Sequence, residues 1–273
     1  MVERLEEKRR RLIGSAKEAV TAVYSTGEHS IAQAINAYNE IEKSKNLIHE
    51  RLSEWYGLYF PELSAGESAY AAFVIEFGSE KKKLTTADAE RLFGEKASYV
   101  MRSLEDSMGG EPSKEDYDAL LSMAKAELGL DELQRRIDMF LKDGVPKIMP
   151  NISYLIEYKI AAELLSRAGS LQRLASMPAS TLQLLGAEKA LFRHLRTGAR
   201  SPKYGVLFKL NAVANAKRED KGRVARVYAT KISIAARADA FSKRFIAKEL
   251  KQALDKALSN APSRAESAGR LSS

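Results

Sequence analysis

Leu182–Gly205 reads LQLLGAEKALFRHLRTGARSPKYG. The spacing predicts a helix starting near Gly186, in which Lys189, Arg193 and Arg196 follow one another at gaps of four and three. Such gaps put three cations on one helical face. Ala187, Leu191 and Leu195 fall opposite and are expected to be buried. Thr197–Gly205 then carries Gly198, Pro202 and Gly205, which interrupt regular structure, with Arg200, Lys203 and Tyr204 among them. A cationic helix face running into a basic, turn-rich loop with an aromatic suits contacts to phosphate and base. Taken by itself, a stripe of this kind reads first as a solvated face.

The charge of the whole chain narrows the choice. Its 273 residues carry a net +8, but unevenly. Residues 1–150 hold 21 Lys and Arg against 27 Asp and Glu, a net −6, whereas residues 151–273 hold 23 against 9, a net +14. A surplus of that size favours a polyanionic partner through counterion release and long-range attraction. An anionic membrane would need an amphipathic helix with an exposed apolar face, and no clear one is legible, so no membrane association is expected. No apolar run approaches the roughly 20 residues of a membrane span, and MVERLEEKRRRL lacks the apolar core of a secretory signal. Cysteine is absent, which removes disulfides and thiolate metal sites and fits a cytoplasmic protein.

Outward from the opening stretch, the pattern is helical throughout. Residues 2–25 read as a helix with Leu5, Leu12, Ala16, Val20 and Val23 on one face. A break follows around Gly27. Ile31, Ile35, Tyr38, Ile41, Ile48, Leu52, Trp55 and Tyr59 trace the stripe of the next helix, with Lys45 where an apolar residue is expected. Trp55, Tyr56, Tyr59 and Phe60 read as core rather than a ligand platform, and Pro61 stops the helix. A short helix is expected over Glu67–Phe77. Thr85 with Asp88 and Ser113 with Asp116 are helix-start signals. They predict one helix from about 85 to 108 and another from Ser113 to about Lys142, with Leu120, Ala124, Leu128, Leu133, Ile137 and Phe140 on its apolar face. The GGEP corner at 109–112 makes these an antiparallel hairpin.

DGVPKIMPN at 143–151 reads as a domain boundary. Beyond it, Leu155, Ile156, Ile160, Leu164 and Leu165 line one helix that Gly169 ends. A helix from Gly222 carries Arg223, Arg226, Thr230, Ser233 and Arg237 as a second polar stripe. A last helix spans about Ser242–Leu258, and a small, polar tail follows that is expected to be disordered. No catalytic or metal constellation is legible. His29, His49 and His194 are far apart and show no ligand spacing, and the glycines form no phosphate loop. Glu188 reads as a first-turn acid favoured by the helix dipole. The chain is therefore expected to be non-enzymatic, without metal or cofactor.

GAEKALFR (186–193) and PKYG (202–205) resemble the signature segment of the Nop domain, a family of archaeal and nucleolar core proteins of box C/D ribonucleoproteins that includes a spliceosomal relative. Asn151–Thr181 resembles the domain's opening, Gly222–Phe241 its closing helix, and Glu50–Leu63 the family's preceding helices. The resemblance implies an all-α protein divided into N-terminal helices (1–64), a coiled-coil arm that makes a homodimer (65–145), a Nop domain (146–258) and a disordered tail (259–273). It implies a scaffold that binds a box C/D or other kink-turn RNA together with a small ribosomal-protein-like kink-turn binder. Such a scaffold supports RNA-guided 2′-O-methylation by the methyltransferase fibrillarin. Gly186, Ala187, Glu188 and Lys189 are then expected at the RNA–protein junction. Arg193 and Arg196 are expected on phosphates of the second stem, and Arg200, Lys203 and Tyr204 in the loop that meets distorted nucleotides. The spliceosomal relative has a histidine in place of Lys203, and a lysine favours a phosphate contact over stacking. Arg223 and Arg226 are expected to flank the same groove. Archaeal members begin with a fibrillarin-docking domain, and this sequence opens on helices resembling those after it, so the dock is expected to be missing. The rival readings are a U4-type, spliceosome-like RNA–protein binder and a helical protein–protein adaptor with a merely solvated basic face.

Overall fold

A computed structural model describes the backbone of residues 2–259 and all of their side chains except those of Val2, Glu3, Leu5, Ala19, Ala22 and Val23. Leu5, Val23 and the tail beyond Ser259, for which the sequence carried expectations, thus lie outside the described side chains or residues. The elements in chain order are α1 (Val2–Ser25), α2 (Glu28–Tyr56), α3 (Glu67–Phe77), α4 (Thr86–Phe93), α5 (Ala97–Glu105), α6 (Lys114–Ile148) and α7 (Pro150–Leu155). They continue with α8 (Tyr158–Ala168), α9 (Leu171–Ser176), α10 (Ala179–Leu184), α11 (Glu188–Thr197), α12 (Asn211–Ala214), α13 (Lys221–Arg237) and α14 (Ala247–Ser259). There is no strand among the described residues. The described residues divide into two compact units, residues 2–36 with 139–259, and residues 37–138.

The smaller unit is built around aromatic side chains. Leu52, Tyr56, Phe60, Tyr70, Phe73 and Val74 bury against Val100, Leu120 and Ala124. Tyr56 and Phe60 are core, as expected, while Trp55 stays 36% exposed. The position of Lys45 on an otherwise apolar stripe has a direct cause. Its ammonium donates to Asp131 Oδ1 at 2.9 Å and Gln134 Oε1 at 3.3 Å, and lies 3.4 Å from Glu67 Oε2. One turn on, His49 Nδ1 meets the buried Glu127 at 3.1 Å. Within this unit α6 therefore buries Leu120, Ala124, Glu127 and Gln134, a helical seam whose lower half is polar. Leu133 and Phe140, expected on the apolar face of α6, are 45% and 49% exposed. Apolar periodicity misplaces that face because the inward positions carry Glu127 and Gln134, whose hydrogen-bond partners His49 and Lys45 come from α2.

Both helix-start signals hold. Thr85 Oγ1 accepts from Asp88 N–H at 3.2 Å, and Ser113 Oγ from Asp116 N–H at 3.1 Å. The single helix expected over 85–108 is instead α4 and α5, which pack on each other. Gly94 adopts φ 55° between them, a conformation open chiefly to glycine. At the other end α6 passes Lys142 and runs through Pro146 to Ile148. Here Gly144 does not act as a stop. A Cβ on it would stand 2.8 Å from Ile31 Cδ1, so it serves close approach to α2.

In the larger unit α13 is the axis and packs against α7, α9, α10, α12 and α14. Ala225, Ala229, Ala235 and Ala236 face inward and permit that crowding. The helix expected through Leu155–Leu165 breaks at Ile156, where the backbone turns extended, but all five of its apolar residues are buried. Ser233, read as part of a polar stripe, is buried too. α14 starts five residues later than expected because a π-helical turn, Ala238–Ser242, precedes it. On α1, Leu12 and Val20 are 63% and 52% exposed, so its expected apolar face is uncovered.

A buried carboxylate closes this unit. Asp239 accepts from Asn151 N–H at 3.0 Å, Asn151 Nδ2 at 2.7 Å and Ile152 N–H at 3.0 Å. Asn151 in turn donates from Nδ2 to Arg244 O and accepts from Ile246 N–H. Burial raises the carboxyl pKa of Asp239, and the donors from Asn151 and Ile152 oppose that rise. Asp239→Ala, which strands these donors, is expected to cost about 3 kcal/mol or more, read by urea unfolding of the helical circular dichroism. In the smaller unit, the hydrogen bond from Lys45 holds Asp131 below the usual carboxylate range. The stability this supplies is present above the unfolded-state pKa and lost as pH falls through the folded one. Asp131→Asn should cost about 2 kcal/mol near neutral pH, with the gap closing in acid, followed by the fluorescence of Trp55.

Candidate nucleic-acid interface

Residues 186–204 leave the body of the larger unit and return to it at one place. Two backbone bonds close the base, Gly205 N–H to Gln183 O at 2.9 Å and Val206 N–H to Leu185 O at 2.8 Å. Both glycines at the base are required. Gly186 has φ 93°, and a Cβ there would meet Val206 Cγ2 at 2.6 Å. A Cβ on Gly205 would stand 2.0 Å from Leu185 O. Gln183, itself buried, donates from Nε2 to Lys203 O at 2.6 Å and to Gly222 O at 3.2 Å. A Cβ on Gly222 would stand 3.5 Å from the stem of Lys203, so the loop lies beside the first turn of α13.

The excursion itself carries α11, none of whose residues is buried. Lys189, Arg193 and Arg196 are exposed, and among the described residues none forms an ion pair. The expectation that Leu195 is buried fails, since it is 70% exposed and Phe192 is 64% exposed. Leu191 and Ala187 are half-buried. At helical spacing Phe192 and Leu195 adjoin the cationic face, so the helix shows charge and apolar surface side by side. The reason for the failure is geometric: none of the described residues of the larger unit covers this flank of α11.

Glu188 is a structural anchor. Its Oε1 accepts from Gly186 N–H at 2.6 Å, and Oε2 lies 3.8 Å from Arg167. Arg167 also pairs with the buried Glu163 at 3.1 Å, which Lys209 meets at 2.6 Å. At the far end of α11, Gly198 at φ 67° caps the helix with its N–H on His194 O, and His194 Nδ1 meets Ala199 O. Arg200 and Lys203 follow as exposed cations without ion pairs among the described residues.

Tyr204 stacks on Phe208, centroids 5.0 Å apart at 11°. Lys221 lies over the other ring, Nζ to centroid 5.0 Å, held by a bond to Ala214 O. Arg223 pairs through one nitrogen with Asp220 at 3.1 Å, while its Nε and Nη1 are buried without a partner. Arg226 is exposed one turn later. The structure thus brings Lys203, Tyr204 and the start of α13 together, with Lys189, Arg193 and Arg196 on the projecting helix. Gln183, Phe208, Lys221 and the Arg167–Glu163–Lys209 chain were not legible as contributors. The four-residue gap from Tyr204 to Phe208 was the one available signal. Among the described residues no group of three His, Asp or Glu is placed to hold a metal. No helix there is long and apolar enough to cross a membrane.

Gly205→Ala should destabilise the larger unit by about 2 kcal/mol or more through backbone collision. Gly198→Ala, where a Cβ meets open space, should cost about 1 kcal/mol from its positive φ alone. Thermal melts of the two variants test the ordering.

Residues 37–260 match the family model described as Nop, snoRNA binding domain, fibrillarin. The chain is 35% identical over 244 residues to an uncharacterized NOP5 family protein of Methanocaldococcus jannaschii, covering 88% of this chain and 58% of that one. It is 37% identical over 215 residues to nucleolar protein 58 of Schizosaccharomyces pombe, with 78% and 42% covered. It is 37% identical over 223 residues to nucleolar protein 56 of Dictyostelium discoideum, with 79% and 41% covered. The chain thus spans little more than half of the first relative's length and less than half of the other two. Its fold is similar to that of a chain in the crystal structure of a fibrillarin/Nop5p complex, with TM-score 0.54 and 21% identity over 93% of this chain and 77% of that chain. At that identity the likeness shows the fold alone.

Proposed function

The chain belongs to the Nop family, and we propose that it is a non-catalytic scaffold of a box C/D-type guide ribonucleoprotein. In this reading it clamps a kink-turn RNA already held by a small ribosomal-protein-like partner, and it supports 2′-O-methylation by a partner fibrillarin. One observation carries the proposal: α11 projects with no buried residue and presents cations beside exposed Phe192 and Leu195. Cations address phosphates, and an uncovered apolar pair beside them addresses a protein. A surface of mixed character suits an RNA and a protein presented together better than either alone.

In this reading Lys189, Arg193 and Arg196 take backbone phosphates. Gly186, Ala187 and Glu188 set the junction, with Glu188 holding the turn rather than touching RNA. Arg200, Lys203 and Tyr204 meet the distorted nucleotides, with Lys203 on phosphate. Arg223 and Arg226 flank them, with Arg226 exposed toward a phosphate and Arg223 held at the start of α13 by Asp220. Self-association through residues 65–145 belongs to the proposal, as does the division into N-terminal helices (1–64), arm and Nop domain (146–258). The likeness to nucleolar proteins 58 and 56 favours this reading over a U4-type binder, and the exposed cations of α11 favour it over an adaptor without RNA.

Lys189→Ala with Arg193→Ala is expected to weaken binding to the preformed RNA–protein complex by roughly tenfold or more and to flatten its salt dependence by about one to two logarithmic units per decade. Self-association, measured by sedimentation, should be unchanged. Gel-shift titrations with and without the small kink-turn binder, at two salt concentrations, test this. Equal binding of the native chain to any RNA, or no loss in the variant, would defeat the reading.

A further inference from the structure

A second surface on the larger unit involves no residue of α11. After α13 the chain makes its π-helical turn, Ala238–Ser242, and Lys243 follows with φ 55°, the one positive φ of a non-glycine residue among those described. π-Turns and left-handed non-glycine residues are unfavourable locally and gather where a chain must present particular side chains. Here the result is outward aromatics. Phe241 is 61% exposed and Phe245 52% exposed, with Lys243 and Arg244 between them. Phe245 meets Tyr154, itself 49% exposed, edge to face at 5.8 Å and 89°.

The segment is held rigidly. Lys243 N–H donates to Ala238 O and its Nζ to Asp239 O, both at 2.7 Å, while Asn151 fixes Arg244 O and Ile246 N–H. The Arg244 and Lys248 side chains are exposed and form no ion pair among the described residues. Beside Tyr154 opens a groove of about 490 Å³ lined by Ser153, Glu157, Leu210, Asn211 and Tyr228. The ammonium of Lys251 is paired with Asp255 Oδ1 at 2.9 Å. The groove wall at Leu210 and Asn211 begins two residues after Phe208, which backs Tyr204.

Resting on the reading above, we infer that this groove and its aromatic edge bind a single-stranded extension of the RNA held at α11. The strand leaves the Tyr204 loop, follows Leu210 and Asn211, and stacks bases on Tyr154 and Phe245 while Arg244 and Lys248 face its phosphates. Rigid aromatic rings interleaved with unpaired cations are what a strand of stacked bases and phosphates requires. A purely apolar peptide would leave those cations and the polar lining unused.

The test uses the full chain and the complex of kink-turn RNA with its small protein binder, followed by fluorescence anisotropy. The RNA is used blunt and with a short oligouridine tail on either strand in turn. A tail on one strand should tighten binding by roughly tenfold. Tyr154→Ala with Phe245→Ala should remove that gain and leave the blunt affinity unchanged. Tyr154→Phe keeps a stacking ring and should keep the gain, which separates lost stacking from lost folding. No gain from either tail, or a gain that survives the double variant, overturns the inference. A protein partner that binds the native chain but not the double variant, with tails inert, would reassign the surface to protein. Failure of the blunt complex itself to bind would sink the earlier reading, and this one with it.

Discussion

The carboxylate of Asp239 holds the larger unit closed. It gathers N–H groups from the first turn of α7, 88 residues earlier in sequence, while Asn151 reaches back to Arg244 and Ile246. A buried charge of this kind is tolerable only because each oxygen is occupied by donors. Its consequences spread outward. It sets the start of α7, fixes the end of α13 through the π-helical turn, and so places the helix beside which the Lys203–Tyr204 loop lies. The cationic helix α11 stands at the end of that chain of dependence.

Most elements were legible in the sequence, because amphipathic spacing and caps act locally. Glu67–Phe77, the caps at Thr85 and Ser113 and the stop at Gly169 follow from side chains within a turn of one another. What failed has a common cause. Gly144 looked like punctuation, but its missing side chain serves Ile31 of another helix. Leu195 looked like core because its period was right, yet periodicity says which residues share a face and not whether anything covers it. Leu133 and Phe140 were read as inward for the same reason. The true inward positions, Glu127 and Gln134, are polar and are identified only by partners contributed from α2.

The candidate interface divides along the same line. Its cations stood in plain view at helical gaps. Its supports did not, since Gln183, Glu163 and Lys209 act through carbonyls and carboxylates brought together by the fold. Glu188, one of the most conspicuous residues of the signature stretch, turns out to brace the chain, accepting from the Gly186 N–H and facing Arg167. Conspicuousness in sequence and contact with a ligand are separate properties.

The two backbone bonds at Gly205 and Val206 carry a consequence for how such a protein can diversify. Because main-chain atoms and Glu188 close the base of the excursion, the fold is largely indifferent to which side chains the exposed face of α11 carries beyond it. Its outward face can change in charge, size or apolarity while the body of the unit keeps its packing. A lineage with this arrangement can retune the partner its protruding helix accepts without first recovering lost stability, so recognition and architecture evolve on separate accounts.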